Sequence, residues 1–126
     1  MTSDLKHLRD MVLHIRDADE IIGEGEGAFL DPSSAILFRA AKSVLVDLSS
    51  AADRVTDELK AGSPQVPWRA IHRTRSKLAH HYDDIQRTLV WETLVRDLPV
   101  LRAELEDLIR TLDEPTAGTA SPTEPS

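Results

Sequence analysis

Arg75 and His80 lie with four residues between them in RTRSKLAHHY, residues 73–82, a stretch that also holds Ser76, His81 and the only tyrosine of the chain, Tyr82. Such a pair suits cleavage of RNA. RNA supplies its own nucleophile, the 2'-hydroxyl, so a protein need only move protons and hold charge on the phosphate. Imidazole, with an unperturbed pKa of about 6.5, moves protons near neutral pH. A guanidinium offers phosphate oxygens a planar fork of donors and does not lose its own proton. Spacing alone carries little weight, since Arg9 and His14 repeat it on what reads as an ordinary amphipathic helix. Geometry adds a constraint. Five residues along an ideal helix rotate by about 500°, leaving Arg75 and His80 roughly 140° apart. Either the helix ends near Ala79 and lets His80 swing round, or the pair is completed across two chains. Arg75 and Tyr82 would differ by only about 20° if both were helical.

Charge singles out the same region. The chain carries a net charge of -7, which argues against broad electrostatic binding of nucleic acid. Residues 68–87 nevertheless set Arg69, Arg73, Arg75, Lys77 and Arg87 against only Asp83 and Asp84, a local +3 on a remainder of -10. His72, His80 and His81 add titratable charge there. A basic island on an acidic body fits a local anionic site better than an extended groove.

The elements that must position these residues read as helices. Leu5, Leu8, Val12, Ile15 and Ile22 recur at helical steps, predicting a first helix over residues 3–22 that GEGEG, residues 23–27, stops. Asp31 and Pro32 read as the cap and first residue of a second helix running to about Lys60. Leu37, Ala41, Val44, Leu48, Val55 and Leu59 give it one apolar stripe; Ile36, Val46 and Ala52 add another. After the loop AGSPQVP, Pro67 opens a third helix at Trp68 that carries the basic island. A fourth runs from Asp83 or Asp84 through Trp91 to about Arg96, and Asp97 with Pro99 separates it from a fifth, marked by Leu98, Leu101, Leu105, Leu108 and Leu112. With no strand pattern competing, these segments predict an all-α antiparallel bundle of four to five helices over residues 1–114, followed by a disordered polar tail, 115–126. The chain has 126 residues, enough for one domain, and no cysteine, so neither a disulfide framework nor a thiolate metal site is available. No signal peptide or membrane span is recognisable, which predicts a soluble, cytoplasmic protein.

The order WRAIHRTRSKLAHHYDDIQRTLVWETLVRDLPVLR, residues 68–102, resembles the HepT-like group of HEPN proteins. The matching positions are Trp68, Arg75, His80, Tyr82, Trp91, Asp97, Leu98, Pro99 and Leu101, and the likeness in helical layout extends it to about residues 3–112. The resemblance implies the toxin of a type II toxin–antitoxin system, a metal-independent endoribonuclease needing no cofactor. Arg75 would clamp phosphate and His80 act as general acid or base, with Ser76 and His81 as accessory groups. The product would be a 2',3'-cyclic phosphate, which DNA cannot form. It also implies a homodimer with both motifs beside the two-fold axis, and a nucleotidyltransferase antitoxin that in some members transfers AMP to the tyrosine two after the motif histidine, here Tyr82. AMP there would oppose substrate phosphate near Arg75. The chain departs from the pattern at Ser76, where the family usually has Asn, and at Leu48-Ser49-Ser50-Ala51, where many members read Ile-Gly-Glu-Ala. Those departures favour a competing class, an inactive HEPN-type adaptor that binds a nucleotidyltransferase partner or a nucleotide.

Overall fold

The computed structural model describes residues 2–79 and 84–113, whose regular elements are all helices, with no strand among them. His80, His81, Tyr82 and the expected tail, 115–126, lie outside the described residues. The long helix α1 (Thr2–Ile22) buries Leu8, Met11, Val12, Ile15, Ala18 and Ile21 along one stripe. It packs on α3 (Ile36–Asp53) and on α7 (Leu98–Asp113). Both run antiparallel to it. Arg9 at its start pairs with Asp113 at 3.1 Å, and Asp19 near its end with Arg102 at 3.1 Å.

The chain turns after α1 at Gly25, whose φ of 94° only glycine adopts without strain. The structure then adds an element that the sequence reading lacks, the five-residue helix α2 (Glu26–Leu30). So short a helix cannot hold itself in water. Phe29 holds it: fully buried, its ring centroid lies 6.2 Å from that of Phe38 and 5.2 Å from that of Trp91.

The second predicted helix needs correction at both ends. Asp31 does not cap it; Oδ1 accepts from the backbone N–H of Ser33 at 2.9 Å and from its hydroxyl at 2.8 Å, closing a local turn, and α3 starts only at Ile36. Ile36, expected in an apolar stripe, is 74% exposed. At the far end α3 stops at Asp53 and a separate helix, α4 (Asp57–Gly62), follows. Thr56 makes the break. Its hydroxyl caps α4 by accepting from Leu59 N–H at 3.3 Å and donates to Asp4 at 2.6 Å, while its own N–H donates to Asp4 at 2.9 Å.

Helix α5 (Trp68–Leu78) begins where Pro67 predicts, anchored by the Trp68 indole donating to Ser63 O at 3.1 Å. It lies antiparallel on α3 and buries Ile71 and Leu78. The expected division at Asp97 and Pro99 is absent. Helix α6 (Asp84–Glu92) passes through a π-helical turn, Thr93–Asp97, directly into α7, with Leu98 N–H bonding Thr93 O five residues back. Proline lacks an N–H and its ring collides with the carbonyl four residues earlier in a regular helix. The wider π turn immediately before Pro99 relieves that collision, so the chain bulges instead of breaking. No helix among the described residues is long and apolar enough to cross a membrane.

Candidate active site

Where α5 crosses the C-terminal end of α3, two serines and an acid of α3 meet the motif helix. Ser49 is fully buried, and its hydroxyl donates to the carbonyl of His72 at 3.4 Å, a contact that a larger side chain would obstruct. One turn further, Arg75 Nη1 donates to Ser50 Oγ at 3.3 Å while Nη2 forms an ion pair with Asp53 Oδ2. The other oxygen of Asp53 lies 2.9 Å from His72 Nδ1. One carboxylate thus ties an arginine and a histidine of the same helix.

Arg75 is therefore neither buried nor loose: 44% of its side chain remains accessible, and the fork keeps donors for a ligand. The acid that the resemblance leads one to expect at position 50 is missing. Asp53, three residues on, supplies a carboxylate to the same arginine. Asp53 carries no signal in the sequence, and His72 counts there only toward the charge of the basic island. Ser50 and Asp53 lie on the flank of α3 beside Ser49, but only the packing of α5 gives them meaning. Asp4 contributes from a distance, because its hold on Thr56 fixes the chain just past Asp53.

The remaining candidates separate. Ser76 is exposed, and its carbonyl helps close the helix by accepting from Ala79 N–H at 3.3 Å. His80, His81 and Tyr82 fall outside the described residues, so their relation to Arg75 belongs to the functional reading below. The basic island divides. Arg69, Arg73 and Lys77 are exposed and make no side-chain ion pair or hydrogen bond among the described residues. Spaced by four, they advance about 6 Å and 40° per step along α5. Arg87 serves elsewhere, donating to Ser34 O at 3.0 Å and lying 5.0 Å from the Phe38 ring centroid. The accidental pair also resolves: Arg9 is spent on Asp113, across α1 and α7. Among the described residues, no three His, Asp or Glu side chains gather as a metal site would require.

Beside α5 an open groove of about 460 Å³ runs over α3, with Leu45, Leu48, Ile71, Leu98 and Leu101 among its lining and Val100, 60% exposed, at its rim.

Compared with known proteins, residues 11–108 match the family described as ribonuclease HepT-like. A candidate RNase of Methanocaldococcus jannaschii is 36% identical over 50 residues, 40% of this chain and 41% of that protein. The probable ribonuclease HepT of Thermococcus cleftensis is 31% identical over 61 residues, 48% of this chain and 56% of its own. A candidate RNase of Caldanaerobacter subterraneus is 27% identical over 75 residues, 60% and 67% of the two chains. The chain thus spans about half the length of the first of these curated relatives. No solved structure matches.

Proposed function

The chain belongs to the HepT-like ribonuclease family, and from that premise we propose that it is the toxin of a type II toxin–antitoxin pair, a metal-independent endoribonuclease acting on cytoplasmic RNA. Arg75 clamps the scissile phosphate and His80 moves protons as general acid or base, with Ser76 and His81 as accessory groups. The observation that carries this reading is the end of α5. Arg75 is oriented by Ser50 and Asp53, and Ala79, the residue before His80, is the helix cap. The reading requires His80 to leave the helical path, which frees the two side chains from the rotation of about 140° that an unbroken helix would set between them.

Attack of the 2'-oxygen on phosphorus with departure of the 5'-oxygen gives a 2',3'-cyclic phosphate, so DNA is not a substrate. Arg69, Arg73 and Lys77 support the choice of RNA as a cationic row leading along α5 toward the site. Restraint comes from a nucleotidyltransferase antitoxin, by AMP transfer to Tyr82 or by occlusion. A homodimer is supported by the uncovered apolar groove between α5 and α7.

The experiment compares wild type, Arg75→Ala and His80→Ala, each purified without antitoxin, on total cellular RNA in EDTA. Cleavage by wild type alone, leaving cyclic phosphate ends, is the expected result. A folded His80→Ala protein that cleaves as wild type does would refute the assignment.

A further inference from the structure

His72 shares a carboxylate with Arg75, and the motif leaves it unused. It precedes Arg75 by three residues, a rotation of about 300°, so the two side chains stand about 60° apart on α5. Both meet Asp53. Its Oδ1 lies 2.9 Å from His72 Nδ1, and its Oδ2 pairs with Arg75. A carboxylate only accepts, so the hydrogen of this bond sits on Nδ1; the neutral ring then carries its lone pair on Nε2. With 65% of its side chain accessible, His72 presents that nitrogen to solvent. Arg75, one turn along the same helix, is where the phosphate would bind.

We infer that His72 is a second proton-handling residue of this site, the base that acts on the 2'-hydroxyl, and that Asp53 is the positioning residue that sets its tautomer and ties it to Arg75. The inference rests on the ribonuclease reading above. Nε2 takes the proton of the 2'-hydroxyl while the 2'-oxygen bonds to the phosphorus held by Arg75. The bond from phosphorus to the 5'-oxygen breaks, and that oxygen takes a proton from solvent. The imidazolium of His72, facing the Asp53 carboxylate, then returns its proton to water. The base thus stands within one helical turn of the clamp.

The test uses the whole chain purified without antitoxin and a fluorescent RNA oligonucleotide. H72Q is expected to lower kcat about 100-fold, the span of one general base, with KM within about threefold; D53N lowers kcat about tenfold. H14Q, at the accidental pair, stays within about twofold of wild type. Nitrogen NMR of folded protein should show the Nδ1–H tautomer of neutral His72 in wild type and a mixture in D53N. If H72Q cleaves at the wild-type rate, or neutral His72 carries its hydrogen on Nε2, the role is overturned while the ribonuclease reading stands. A folded wild type that cleaves no RNA overturns both.

Discussion

Replacing Asp4 should loosen the bundle at the place where α3 hands over to α4. The carboxylate is 1% exposed and accepts two bonds from one residue, the Thr56 N–H at 2.9 Å and its hydroxyl at 2.6 Å. Hydrogen bonds to a charged group contribute about 1.5–3 kcal/mol each. Asp4→Ala loses both and leaves the Thr56 donors short of an acceptor, but it also removes the cost of keeping a carboxylate out of water, which brings the net loss to about 3 kcal/mol. For a domain of this size that lowers Tm by about 12 °C. Asp4→Asn keeps one acceptor and should lose about half as much. The pH dependence follows from the direction of the shift. Burial pushes the Asp4 carboxyl up, but the side-chain and backbone hydrogen bonds from Thr56, helped by His7, outweigh it and hold the group below its ordinary value of 3.8. A folded value under the unfolded one means that the unfolded chain binds the extra proton, so the contribution is complete above 3.8 and fades as pH falls through the lower folded value. Urea titrations of wild type and Asp4→Ala at neutral pH and in acid give the comparison. A neutral-pH difference under about 0.5 kcal/mol, or one that persists undiminished in strong acid, would refute the reasoning.

Replacing Arg69, Arg73 and Lys77 together with Gln should reduce the slope of log K against log salt for single-stranded RNA by about 2, read by fluorescence anisotropy with a non-cleavable oligonucleotide. An unchanged slope would put the RNA elsewhere. Phe29→Ala, which empties the fully buried junction with Phe38 and Trp91, should cost about 3–5 kcal/mol in denaturant titrations; a loss under about 1 kcal/mol would mean that α2 is not part of the cooperative core. If the proposed restraint holds, co-expression with a nucleotidyltransferase antitoxin should add about one AMP mass to the peptide holding Tyr82, seen by mass spectrometry, and Tyr82→Phe should abolish the addition. An unmodified peptide from a neutralised toxin would leave occlusion as the means of restraint.

Wherever the apolar pattern is local and periodic, the chain declares its structure in one dimension. Leu8, Val12 and Ile15 mark the buried stripe of α1, Leu98, Leu101 and Leu105 that of α7, and Pro67 before Trp68 the start of α5. Each of these signals lies within a few residues of what it specifies. The same holds for the candidate Arg75, whose neighbours in order single it out before any fold is known.

Other features depend on partners far along the chain, and only tertiary packing decided them. GEGEG reads only as the stop after α1 until Phe29 finds Phe38 and Trp91. Thr56 reads as an interior helix residue until Asp4, 52 positions away, makes it a cap. Pro99 reads as a break, yet α6 and α7 remain continuous because a π turn costs less than separating two helices already packed on the core. At the site, Asp53 stands 19 residues from His72 and 22 from Arg75, distances at which no periodicity links side chains. Their meeting comes from α5 settling antiparallel on α3 over Ser49, and a carboxylate acquires its role from whichever charges the packing brings within bonding range.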